Sequence, residues 1–92
     1  MAVVVIQEFE ATPEEYDQVS EKLGEETPEG GILHAACDLG GGKMRSIDVW
    51  ESPQHFQNFV QDKLIPAVAE VNPDAPQAQE PEIREIYDLE RA

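Results

Sequence analysis

The sequence predicts an α+β domain with its elements in the order β-α-β-β-α-β. Three observations carry this. Val3, Val4, Val5 and Ile6 form a β-branched run, and Ile83, Ile86, Tyr87 and Leu89 form an apolar run near the other end. Thr12-Pro13 and Ser52-Pro53 each place a capping side chain before a proline, the usual opening of a helix. Between them, Gly40-Gly41-Gly42 separates two strand-like segments, as a hairpin connection does.

The first strand spans residues 2–9, a run apolar enough to be covered on both faces. Thr12, Pro13 and Glu15 then form a capping box. Tyr16, Val19 and Leu23 lie along one face of an otherwise polar helix, which Gly24 ends. A polar loop covers residues 25–31. Strands two and three span 32–38 and 44–51, joined by the link 39–43. Phe56, Phe59, Val60, Leu64, Ala67, Val68 and Val71 mark a second amphipathic helix. Pro66 must kink or divide it, because its ring displaces the carbonyl four residues back. Residues 72–81 carry three prolines and no periodicity and read as a connection. Strand four spans 82–90. Two right-handed β-α-β crossovers around a central hairpin give the ferredoxin-like arrangement, a four-stranded antiparallel sheet with both helices on one face.

The 92 residues form one domain, 1–92, small enough that a partner subunit would add useful burial. Twenty acids against six bases give a net charge of −14. That balance excludes nucleic acid and anionic membrane surfaces as partners, since both are bound through Lys and Arg. Cys37 is the only cysteine, so neither a disulfide framework nor a cysteine-based zinc site is expected. The opening M-A-V-V-V-I is too short for a signal h-region, and nothing approaches a membrane span. A cytoplasmic protein is the expectation.

Strand alternation splits each strand into two sets. Leu33, Ala35 and Cys37 form one set of strand two, with Ile47 and Val49 in strand three. These purely apolar sets are expected to face the helices, with Cys37 buried and inert. The mixed sets are expected on the helix-free face: Ile32, His34, Ala36 and Asp38; Met44, Ser46, Asp48 and Trp50; and Val3, Val5 and Gln7. That face is too apolar to be left wet, and fits a subunit interface or a small-molecule pocket.

The sequence leaves the hairpin register open, but with a five-residue link His34 and Asp48, each five residues from it, would lie roughly opposite one another. The carboxylate would orient the imidazole and raise its pKa, making His34 a general base or a substrate anchor. The same pair also reads as a structural hydrogen bond inside an interface. Trp50 offers a flat apolar wall with one N–H donor, or simple packing. Ser46 and Gln7 would add polar contacts, and Ile32 and Met44 apolar ones. Gly40-Gly41-Gly42-Lys43 is not a phosphate loop, as no Ser or Thr follows and no helix opens there. No metal-ligand spacing is present.

Three stretches resemble the antibiotic-biosynthesis-monooxygenase branch of the dimeric α/β-barrel superfamily. They are V-V-V-I-Q-E-F in the first strand, D-V-W-E-S at the end of the third, and F-x-x-F-V-x-x-x-L-x-P-A-V in the second helix. The resemblance covers nearly the whole chain. It implies a homodimer packed through the helix-free sheet faces, with the last strand helping to join the subunits. It also implies cofactor-independent oxygenation of an aromatic substrate held against a tryptophan. Haem-degrading relatives combine a helix histidine, a tryptophan and a first-strand asparagine. Gln7, Trp50 and His55 match that set poorly, because Gln stands for Asn and His55 follows Trp50 too closely.

Two readings follow. In the first, the chain binds a small aromatic or apolar molecule and acts on it without a cofactor, with His34 as base, Asp48 orienting it, and Trp50, Ser46, Gln7, Ile32 and Met44 lining the site. In the second, it is a non-enzymatic binding or assembly module with a packed dimer interface.

Overall fold

The computed structural model describes residues 1–76 and 78–90. The elements are β1 (Val3–Glu10), α1 (Pro13–Leu23), β2 (Gly31–Gly40), β3 (Lys43–Trp50), α2 (Pro53–Phe59), a π-helical turn (Val60–Leu64), α3 (Ile65–Val71) and β4 (Glu82–Glu85). The sheet order is β2-β3-β1-β4, with every neighbouring pair antiparallel. This is the expected ferredoxin-like α+β fold.

Local chemistry explains the element ends. The Thr12 side chain accepts from the Glu15 amide, and the Glu15 carboxylate accepts from the Thr12 amide, so two orphan donors of α1 are satisfied reciprocally. Ser52 caps α2 by accepting from the His55 amide. Pro66 is accommodated without a break in the chain's helical course. The Ile65 amide bonds the Val60 carbonyl, five residues back, and this wide turn precedes the proline at the start of α3. The expected division of the second helix therefore takes the form of α2, a π turn and α3.

The β2–β3 hairpin closes tighter than the sequence suggests. Gly40 pairs with Lys43, leaving Gly41 and Gly42 as a two-residue turn with φ of +62° and +77°. Two left-handed residues in succession suit the twist of a hairpin and are cheap only for glycine. Leu39 is then an extra residue between the Gly40 and Asp38 pairs, a β-bulge. The bulge shifts the register by one, so that His34 lies opposite Asp48. Without it, His34 would face Val49.

β4 is shorter than expected. It ends at Glu85, although Ile86 still donates its amide to the Ala2 carbonyl. Tyr87 is fully exposed and Leu89 43% exposed.

The sheet faces are the reverse of the expectation. Val3, Val5, Trp50 and Phe56 form the core, with Phe59, Val60 and Ile83 packed against them. Trp50 contacts Phe56 edge-on and Phe59 at a tilt, with ring centroids 6.0 and 5.3 Å away. The set containing Val3, Val5, Gln7, Met44, Ser46, Asp48, Trp50 and His34 therefore faces the helices. Leu33, Ala35, Cys37 and Ile47 face away, and Cys37 is exposed rather than buried. Apolar volume decided the outcome, not apolar purity. Trp50 and Met44 bury far more surface than Ala35 and Cys37 can. His34 and Asp48 are tolerable in the inward set because they are hydrogen-bonded to each other, and Gln7 because it donates to the Gln79 carbonyl.

Candidate functional site

β3 presents Met44, Ser46, Asp48 and Trp50 in succession on its helix-facing side. At about 3.3 Å per residue, Asp48 and Trp50 are roughly 7 Å apart along the strand. Across the hairpin, His34 on β2 meets Asp48, and its Nδ1 is hydrogen-bonded to Asp48 Oδ1. The other ring nitrogen, Nε2, is hydrogen-bonded to the Tyr16 hydroxyl at 2.5 Å. The Tyr16 and His34 rings are nearly parallel, 7° apart, with centroids 6.2 Å distant. Three elements thus converge, with α1 supplying Tyr16, β2 His34 and β3 Asp48.

The carboxylate accepts from Nδ1–H, which leaves Nε2 as the acceptor of the Tyr16 O–H. Protonation of His34 would turn Nε2 into a donor to the same oxygen, so the chain of bonds survives in both charge states. The bond to Asp48 raises the His34 pKa above its usual 6.5; burial opposes this, and the Asp48 charge adds to it. Burial also raises the Tyr16 pKa, as do the charges of Asp48 and Asp17. The His34 side chain is 54% exposed and that of Asp48 14%, so the group opens to solvent at its histidine end.

Trp50 lies at the end of the same face and is 4% exposed. Its indole Nε1–H is buried and has no acceptor among the described residues. Such an orphan donor costs about 1–3 kcal/mol and calls for an explanation.

The other sequence candidates are placed as follows. Met44 is buried on the inward face. Ser46 is half-buried between Met44 and Asp48. Ile32 is the extra residue of a second bulge, between the Gly31 and Leu33 pairs. Gln7 donates to the Gln79 carbonyl at 2.9 Å and so ties the 72–81 connection to β1, away from His34. His34, Asp48, Ser46 and Trp50 share the inward face, whereas Gln7 is engaged elsewhere. Tyr16 was read from the sequence only as part of an apolar stripe. Its signal was a phenol on the sheet-facing side of a helix, where a hydroxyl needs a partner.

Two open clefts lie elsewhere. One, of about 250 Å3, is bordered by Lys22, Asp62, Lys63 and Glu70. The other, of about 160 Å3, is bordered by Glu8, Phe9, Lys43 and Gln79. His55 serves structure: it packs on Gly30 and its Nδ1 is 2.7 Å from Ser52 Oγ. No group of three His, Cys, Asp or Glu among the described residues could hold a metal ion. No helix among them is long and apolar enough to cross a membrane.

No protein-family model matches the sequence, and no curated protein matches it. Solved structures share the fold. A candidate antibiotic biosynthesis monooxygenase from Chloroflexus aurantiacus is 15% identical with a TM-score of 0.71, the match covering 99% of this chain and 98% of that one. SnoaB, a cofactor-independent oxygenase from Streptomyces nogalater, is 16% identical with a TM-score of 0.67, covering 96% and 95%. A candidate antibiotic biosynthesis monooxygenase from Deinococcus radiodurans is 13% identical with a TM-score of 0.61, covering 98% and 97%. At these identities the likeness is one of fold, the ferredoxin-like arrangement of antibiotic-biosynthesis-monooxygenase structures.

Proposed function

We propose that this chain binds a small aromatic or apolar molecule between its helices and its sheet, and oxygenates it without a cofactor. The buried Trp50 Nε1–H carries the reading, because it is an unused donor within the apolar core, on the strand that also bears Asp48. A ligand oxygen would accept from it, and the Phe56 and Phe59 rings would pack against an aromatic body. Without a cofactor, the substrate itself must reduce dioxygen. The protein's part is to hold it out of water and to remove a proton, leaving an electron-rich anion. The His34–Asp48 pair supplies the base. The sharing of a fold with a protein named as a cofactor-independent oxygenase supports this class of chemistry.

The proposed working form is a homodimer. Leu33 is 58% exposed on the helix-free face, among Ala35, Cys37, Ile47, Val4 and Ile6. An apolar sheet face of this kind favours a second copy. The exposed Tyr87 and Leu89 beyond β4 extend the same argument to the chain after the last strand. Against this, two copies carry −28, twice the −14 of one.

A second reading, a non-enzymatic binding or assembly module, is favoured by one observation. Trp50, Val3, Val5 and Phe56 are the core itself, and the two open clefts lie elsewhere.

Oxygen uptake with anthrone as the probe separates the two. Anthrone carries an activated CH2 that becomes C=O while the second oxygen atom leaves as water. Uptake above the buffer rate, lost in His34→Asn, supports the oxygenase. Retention of full uptake in His34→Asn, or no uptake above buffer, counts against it.

A further inference from the structure

We propose that Tyr16 is the residue that meets the ligand's ionising hydroxyl, and that His34 takes the proton through it. This rests on the ligand site proposed above and identifies the contact group within it. Both ring nitrogens of His34 are engaged, Nδ1 with Asp48 and Nε2 with Tyr16. A ligand cannot reach either nitrogen without breaking one of these bonds. The Tyr16 oxygen can accept a further hydrogen bond while donating to Nε2, and His34 is its only partner among the described residues. The free end of the chain of bonds is therefore on α1, facing the sheet, and not on β2.

The step balances as a double proton transfer. The ligand O–H bond breaks and its proton forms a new O–H bond at Tyr16 Oη. The former Tyr16 proton leaves Oη and bonds His34 Nε2. The ligand is left an oxyanion, Tyr16 is again a neutral phenol, and His34 is an imidazolium held by the Asp48 carboxylate. No electrons change hands. Tyr16 suits a relay better than a store of charge. Asp48 and Asp17 both lie near enough to oppose a phenolate, and burial adds to this. Asp48, by contrast, favours the imidazolium. The chemistry selects a ligand with an acidic hydroxyl, a phenol or the enol tautomer of a ketone such as anthrone, over one that offers only an ether.

The test uses para-nitrophenol, whose phenolate absorbs visible light, with the intact protein at a pH just below the free probe's midpoint. Equilibrium dialysis measures binding and absorbance measures ionisation. Wild type is expected to bind the probe and to raise its phenolate fraction. Tyr16→Phe and His34→Asn are each expected to bind it with no added phenolate, with unchanged circular dichroism melts confirming that both variants fold. Added phenolate that persists in Tyr16→Phe but vanishes in His34→Asn would show the ligand meeting His34 directly, and overturns the proposal. Binding by wild type without added phenolate overturns it too, while leaving the ligand site standing. Absence of binding overturns the site and this inference together.

Discussion

His34 and Asp48 lie directly opposite on β2 and β3 because Leu39 is bulged out of the hairpin between them and the glycine turn. The pair faces the helices, so Tyr16 of α1 completes it. A one-residue irregularity thus decides whether the imidazole has a carboxylate or a valine as its neighbour.

Removing the carboxylate is expected to release His34. In Asp48→Asn, the His34 midpoint should fall from above 6.5 toward that value, read by NMR titration of the ring protons. The sign for stability follows from the raised folded value. The contribution of protonated His34 is fully present below 6.5, the unfolded value, and is lost as pH rises through the folded pKa. The gain in wild-type melting temperature on acidification through that window should therefore shrink in Asp48→Asn. An equal gain in both proteins would contradict the pairing.

Trp50 is the largest side chain of the core, and Trp50→Ala should cost about 3–5 kcal/mol in urea unfolding. Trp50→Phe should cost clearly less, because it removes the buried N–H that has no acceptor along with part of the ring. Equal losses would show that the orphan donor is satisfied in the folded protein without ligand.

Gly30 has φ of +81°, and a Cβ there would meet the His55 side chain at 2.3–2.6 Å. Gly30→Ala should destabilise the fold by about 1–3 kcal/mol through backbone strain and this clash. In the pair Gly30→Ala/His55→Ala the two ring contacts are relieved while the contact with the residue-55 Cβ and the strain remain, so part of the loss should return as a favourable coupling energy in a double-mutant cycle. Additive losses would contradict the close packing.

Self-association should respond to the helix-free face. Leu33→Glu places a further charge at an exposed apolar position of that face and should weaken dimerisation, measured by sedimentation equilibrium. Added salt should strengthen it in wild type, since screening relieves repulsion between two copies of charge −14. A monomer at every concentration and salt would contradict the proposed working form.

Much of this fold is legible in the sequence, and the reasons differ by residue. Thr12, Glu15, Ser52 and the glycine run act locally, so their chemistry places the caps and the hairpin. The His34–Asp48 register was legible only on the condition of a five-residue link. A five-residue link and a two-residue turn plus a one-residue bulge bring the same residues together. The choice of face was not legible from apolar purity. It depended on Trp50 finding Phe56 and Phe59, and on Tyr16 satisfying His34, which are packing contacts between separate elements. The end of β4 depended on partners as well. Beyond Glu85 the apolar pattern continues, but the pairing with β1 does not.

Trp50 is the only tryptophan, so its indole N–H gives a single, unambiguous NMR resonance. Titration with anthrone, following that resonance and the His34 ring protons together, tests the ligand site most directly. Both should move along one binding curve, and the indole N–H should become protected from solvent exchange as its donor is engaged. A ligand that shifts residues of the helix-free face, such as Leu33 and Ala35, while the indole N–H stays fixed would contradict it.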